Sequence, residues 1–298
     1  MFDWIHLTIP PAPALFAQLL IGLINGAFYA MLSLGLAVIF GLLNIINFAH
    51  GAQYMLGAFC AWFLLNAFGL GFWPALVLAP IMVGVVGIAI ERALLRHVYR
   101  LDPLYGLLLT FGLALIIEGV FRQQYGSSGL PYDIPPALEG GRNLGFMFLP
   151  IYRAWVILAS VAVCLATWFT IERTKLGAYL RAATENPALV RAFGINVPLM
   201  ITLTYGAGAA LAAFAGVMAA PIYQVSPLMG RDMIITVFAV VVIGGMGSIM
   251  GAIVSGFALG VVEGLTKVFY PEASSTVIFV IMALVLLVKP AGIFGQIR

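Results

Sequence analysis

Asn44–Gly57 reads NIINFAHGAQYMLG. It follows more than two dozen almost uncharged residues, and it brings two asparagines, a histidine and a glutamine together within ten positions. A metal centre would draw on several His, Cys or carboxylate ligands. The whole chain holds three histidines, His6, His50 and His97, none paired with another at helical spacing. No Ser or Cys stands beside His50 to form a nucleophile–base pair. The plainer reading is that Asn44 and Asn47 end a helix and that His50-Gly51 forms the turn, because Asn caps helices and Gly accepts left-handed geometry. The sharper reading is that this break also lines a path. Non-helical backbone at membrane depth is tolerated only where protein buries it or water lines it.

That the break lies in a membrane follows from composition. Of 298 residues, 63% are hydrophobic and 8% charged, against roughly a quarter charged in soluble domains. Spans need about 20 apolar residues each, and the long unalternating apolar runs select helices over a barrel. We read apolar spans at about 14–42, 53–71, 74–91, 104–121, 154–171, 199–220, 233–246, 249–268 and 276–289. The seventh is short and interrupted by GGMGS, so it is either a half-helix or part of its neighbour. The expectation is an all-α, polytopic transmembrane bundle of 8–9 spans with broken or half-helices. It forms a single domain over 1–298, with an external loop at 122–153 and a cytoplasmic loop at 172–198. The first residues, MFDWIHLTIPPAP, lack the positive region of a secretory signal peptide. Cys60 and Cys164 fall in apolar spans and read as small buried hydrophobes.

Lys and Arg favour the cytoplasmic loops. Arg92, Arg96, Arg100, Arg173, Lys175, Arg181, Arg191, Lys289 and Arg298 fall on one side; Arg122, Arg142, Arg153 and Arg231 fall on the other, with Lys267 near it. The N-terminus is therefore expected outside and the C-terminus in the cytoplasm. The net charge of +3 fits membrane orientation, not nucleic-acid binding. A faint internal echo, VIFGLLNII at 38–46 against VVIGGMGSI at 241–249, is compatible with duplicated halves that carry matching helix breaks.

The second glycine-rich stretch is GGMGSIMGAIVSGF, 244–257. Its small residues suit close helix packing, and Gly244, Gly245, Gly247 and Ser248 are candidates for a path-lining break. GAGAALAAFAG, 206–216, reads as packing alone. Ionisable residues inside spans would mark ion coupling, but Glu118 precedes Arg122 by four and Glu263 precedes Lys267 by four. That spacing suits local ion pairs. The loop ERTKLGAYLRAATENPALVRAFGINV, 172–197, carries a helix start at Asn186-Pro187 and a stop at Gly194. A short helix over about 187–193 should therefore protrude into the cytoplasm, either lying on the membrane surface or docking a partner. No phosphate-binding glycine loop occurs in the chain, so nucleotide hydrolysis would fall to a separate subunit.

The chain resembles the membrane permease subunits of branched-chain amino acid (hydrophobic amino acid uptake) ABC importers, closest to the shorter, first permease of the pair. The resemblance runs through NGAFYAMLSLGLAVIFGLLNIINFAHGAQYMLGAF (25–59), TFGLALIIEG (110–119), RTKLGAYLRAATENPALVRAFGINV (173–197), FAVVVIGGMGSIMGAIVSGFALGVVE (238–263) and KPAGIFG (289–295). It implies a transport subunit and not an enzyme. It would work with a second homologous permease, two cytoplasmic ATPases that hold ATP and magnesium, and a periplasmic substrate-binding protein. It binds no cofactor of its own. The implied docking residues are Gly177, Arg181, Glu185, Asn186, Pro187, Ala188, Arg191 and Gly194. The path candidates are Asn44, Asn47, His50, Gly51, Thr110, Gly244, Gly245, Gly247 and Ser248. Some members of the family move urea or short amides, and a self-contained secondary transporter or channel is the alternative class; dependence on ATP separates them.

Overall fold

The computed structural model describes residues 11–43, 46–99 and 101–295. It is a helical bundle: α1 Ala12–Leu43, α2 Ala49–Phe68, α3 Phe72–Ala93, α4 Pro103–Tyr125, α5 Ile151–Arg173, α6 Lys175–Glu185, α7 Pro187–Ala192, α8 Val197–Tyr223, α9 Met229–Gly244, α10 Ile249–Phe269 and α11 Val277–Val288. The helices α1, α3, α4, α5, α8 and α10 are long and apolar enough to cross a membrane, and the chain is a multi-pass membrane protein. Three more apolar helices fill the other expected spans. α2 has 20 residues, but its His50 and Gln53 dilute its apolar character, and neighbouring helices bury it. At 1.5 Å per residue α9 and α11 are only about 24 and 18 Å long, short of a roughly 30 Å hydrocarbon core. The GGMGS segment thus separates α9 from α10 and does not merge them.

α1 is the central helix. Its apolar stretch is mostly buried, and it packs along α10 through facing glycines. A Cβ on Gly26 would stand 2.9 Å from the Phe257 Cα, so only hydrogen lets these backbones approach. In lipid, where apolar side chains gain nothing by leaving solvent, such close contact is the main source of helix association. α8 packs across α1, α2 and α3 in the same way. Its Ala209, Ala212, Ala213, Ala215 and Gly216 are buried, which places the 206–216 stretch in packing as its composition predicts. α3, α4 and α5 present Val77, Ile81, Leu108, Ile116, Leu158 and Leu165 outward, as suits helices that face lipid or another subunit.

The segment between α4 and α5 is more ordered than its Gly- and Pro-rich composition predicts. It holds an antiparallel hairpin of β1 Gly141–Asn143 and β2 Phe148–Pro150, and Leu130 bridges to Val225 between α8 and α9. At the far end of the chain, residues beyond α11 fold back. The N–H groups of Ile293 and Phe294 donate to the carbonyls of Ile243 and Gly244 at 2.8 and 3.0 Å. They cap the last turn of α9, whose carbonyls have no partner within the helix.

Candidate translocation path and docking element

The break after α1 lies inside the bundle. His50 Nε2 faces the Leu32 carbonyl at 3.0 Å, roughly 16 Å back along α1 from Leu43 at 1.5 Å per residue. The chain therefore leaves α1, doubles back and starts α2 deep within the fold. Asn44 lies outside the described residues. His50 and Gly51 do not form the turn expected of them: both sit in the first turn of α2, which starts at Ala49. Gly51 is there because its backbone meets the carbonyl of Gly230 in α9, leaving no room for a Cβ. The described part of the break, Ile46–Phe48, is held by a residue from another helix. Thr110 of α4, fully buried, accepts from the Phe48 N–H at 3.2 Å, and its hydroxyl lies 3.1 Å from the Ile46 carbonyl and 3.0 Å from that of Leu107. Phe48 stacks on Phe238 and meets Phe111 edge-on.

Behind this turn lies a buried polar cluster. Asn47 is 1% exposed and His50 and Gln53 are 0% exposed. Because a carbonyl only accepts, Nε2 of His50 carries the proton and Nδ1 is an acceptor. The Gln53 amide donates to the Tyr205 hydroxyl of α8 at 3.1 Å, one turn along α2 from His50. The two ends of an amide are interchangeable by a flip. His50 Nδ1 and Gln53 Oε1 have no partner within hydrogen-bond distance among the described residues; turning the amide over would let Oε1 accept from Tyr205 and point a donor toward His50 Nδ1. The Asn47 amide faces the same Tyr205 hydroxyl without a well-formed hydrogen bond. The structure thus brings Asn47, His50 and Thr110 together around one turn. Gln53 and Tyr205 join them. Gln53 shares the quoted stretch, whereas no sequence signal ties Tyr205 to it.

The second break is a separate place. Gly244 ends α9 and faces Gly251 of α10; Gly245 and Gly247 adopt φ of 102° and 86°, which exclude side chains at low cost. Ser248 caps α10 by accepting from the Gly251 N–H at 3.1 Å. This turn packs on Gly41 near the end of α1 and on Gly292 and Gly295 of the tail, so the KPAGIFG stretch and the GGMGS stretch are two sides of one contact.

Of the two ion pairs expected from spacing, one forms and one does not. Glu118 pairs across helices with Arg231 of α9 at 3.9 Å, not with Arg122 one turn on, because α4 turns its Glu118 face toward α9. Glu263 does pair with Lys267, at 2.5 Å, but the Tyr29 hydroxyl of α1 also donates to it at 2.6 Å. Glu91 escaped the sequence reading. It is 2% exposed and accepts from Tyr99 at 2.9 Å and Thr202 at 2.6 Å. Its place at the edge of a basic segment conceals a partner in a distant helix.

The loop between α5 and α8 is helical almost throughout. Gly177 in the first turn of α6 sits so close to the Ile171 carbonyl that no Cβ fits. Arg181 reaches Glu172 at 3.3 Å and the Ile171 carbonyl at 3.2 Å. α6 runs to Glu185. Asn186 then caps α7, accepting from the Leu189 N–H at 3.0 Å, with Pro187 in the first turn. Ala188 and Arg191 are exposed, and Gly194 at φ 81° reverses the chain toward α8. Val190 points inward against Ala183 and Val197, whereas Leu189 and Phe193 point out, 54% and 77% exposed. α6 also borders Gly41 and Gly247.

A sequence model described as "Branched-chain amino acid transport system / permease component" matches residues 18–286. The chain belongs to this family. The permease is 31% identical over 292 residues to the high-affinity branched-chain amino acid transport system permease protein BraD of Pseudomonas aeruginosa, with 94% of this chain and 95% of BraD covered. It is 30% identical over 298 residues to LivH of Escherichia coli, again with 94% and 95% covered. The permease also matches LivM of E. coli, at 29% over 296 residues, covering 91% of this chain but 68% of LivM. Its length follows BraD and LivH.

Proposed function

We propose that the permease is one half of the transmembrane path of an ABC importer that carries branched-chain (hydrophobic) amino acids inward across a bacterial inner membrane. BraD and LivH are named for branched-chain amino acid transport, which supports the substrate class. LivH and LivM are two permease proteins named for the same system in one organism, which supports a second, homologous permease as partner. ATP and magnesium are held by two ATPases that meet the loop 172–198 in the cytoplasm. A binding protein delivers substrate at the face that carries the 122–153 loop. The N-terminus is outside and the C-terminus inside, by the basic residues of the loops.

The observation that carries the reading is the α6–α7 element, whose Leu189 and Phe193 are the most exposed of the large apolar side chains in the 172–198 loop. An apolar pair held out by a capped helix suits a groove on a partner. α6 borders both the end of α1 and the α9–α10 turn, so force on the loop reaches each break directly. Asn47, His50, Gly51 and Thr110 shape the path at the first break, and Gly244, Gly245, Gly247 and Ser248 set the second. A zwitterion with an apolar side chain suits a path of few charges, with Gln53 and Tyr205 supplying hydrogen bonds.

The test is the double variant Leu189→Ser/Phe193→Ser in the assembled transporter. Membrane insertion should be unchanged, while ATPase copurification and ATP-driven leucine uptake into proteoliposomes fall at least tenfold. Unchanged copurification would remove the docking role, and gradient-driven leucine uptake by the permease alone would remove the ABC reading.

A further inference from the structure

A cavity of about 610 Å³ opens beside the docking element, between the end of α3 and the start of α8, within the size range of small-molecule sites. Arg92, Arg96 and Arg191 line it, with Glu91 and Thr202 also on its wall. None of the three arginines forms a salt bridge with a described carboxylate. Glu91 does not serve them, since both its oxygens accept from hydroxyls, those of Tyr99 and Thr202. The cavity is a net cationic recess, with three guanidinium groups against the one carboxylate of Glu91. It lies where the apolar run of α3 gives way to charge, and Leu199 on its wall is exposed. A ligand here would meet guanidinium groups at one end and apolar surface at the other.

We propose that this cavity binds the phosphate headgroup of an anionic phospholipid in the adjoining leaflet, with the acyl chains running over the exposed Leu199 at its edge. Arginine's planar fork matches phosphate oxygens, and basic recesses between membrane helices hold acidic headgroups by this chemistry. An ATPase side chain is the other conceivable anion. At 100° per residue, Pro187 and Arg191 face the cavity side of α7 while Leu189 and Phe193 point the opposite way. A partner seated on that apolar pair, as the docking reading places it, leaves the recess behind it open. The lipid site does not depend on which protein occupies the apolar pair.

The experiment uses the assembled transporter in detergent, titrated with phosphatidylglycerol or phosphatidylcholine, with retained lipid counted by native mass spectrometry. Phosphatidylglycerol should be retained at least tenfold better than phosphatidylcholine. Arg92→Gln/Arg96→Gln should abolish that preference, whereas Arg122→Gln/Arg142→Gln in and beside the opposite loop should keep it. Inorganic phosphate at millimolar concentration should not displace the lipid. Equal retention of the two lipids by the unaltered transporter overturns the proposal, whether or not the variant folds. So does displacement by free phosphate, which would make the recess a soluble-anion site. Loss of ATPase copurification in Arg92→Gln/Arg96→Gln with lipid retention intact would assign the arginines to the partner.

Discussion

Replacing Thr110 with valine keeps the shape of the side chain and deletes the hydroxyl that holds the turn before α2. Thr110 is 0% exposed, and its Oγ1 accepts from the Phe48 N–H and lies beside the Ile46 carbonyl. Side-chain hydrogen bonds between membrane helices average only about 0.6 kcal/mol, because the unfolded chain in lipid finds other partners. If Thr110 contributed one such bond, Thr110→Val would barely register. The hydroxyl serves backbone groups, however, and valine would strand a buried N–H, at a cost of about 1–3 kcal/mol. We therefore expect about 2 kcal/mol, roughly a 30-fold shift in the folding equilibrium. The measurement is reversible unfolding of the purified permease in mixed micelles by SDS titration. Thr110→Ser, which keeps the hydroxyl, should fall within about 1 kcal/mol of the native protein, the methyl group accounting for the loss. If Thr110→Val unfolds within about 0.5 kcal/mol of native, the hydroxyl does not hold the break.

Tyr29→Phe leaves Glu263 with Lys267 alone; hydrogen bonds to charged groups contribute about 1.5–3 kcal/mol, and the same titration should show a loss of that order. Gly57→Leu drives a side chain into the Ala213 backbone and should cost at least about 2 kcal/mol by overpacking, while Gly119→Ala, with open space around it, should stay within about 0.5 kcal/mol of native. Tyr132, in the 122–153 loop, is buried with an unpartnered hydroxyl, and burial pushes its pKa up to about 12. A raised folded-state value means stability is full below about pH 10 and is lost as pH rises toward 12. Tyr132→Phe should therefore be neutral or stabilising at pH 7 and should blunt that alkaline loss, read as proteolysis of the 122–153 loop across the pH range.

The spans were legible because each is a long apolar run, and the bilayer leaves such a run little choice but helix. The 187–192 helix was legible because Asn186, Pro187 and Gly194 act locally. What the sequence concealed was decided across the bundle. α2 starts at Ala49 and not later because Thr110, in another helix, satisfies the backbone ahead of it. Glu118 has a suitable Arg122 one turn away, yet pairs with Arg231 because the packing of α4 faces that way. Glu91 sits among basic residues that suggest a simple cytoplasmic end, while its partners Tyr99 and Thr202 come from a loop and a distant helix. Local spacing proposes partners, and helix orientation chooses among them.

The fold-back of Ile293 and Phe294 onto α9 bears on how the protein is made. α9 leaves the ribosome well before those residues do, so its terminal carbonyls wait unpaired while α10 and α11 are synthesised. A truncation after Pro290 would leave them so permanently, and quality-control proteases would meet an unfinished helix end. A bulky fusion joined close behind Gly295 would press on the same seam, whereas one set off by a flexible spacer would leave it to close.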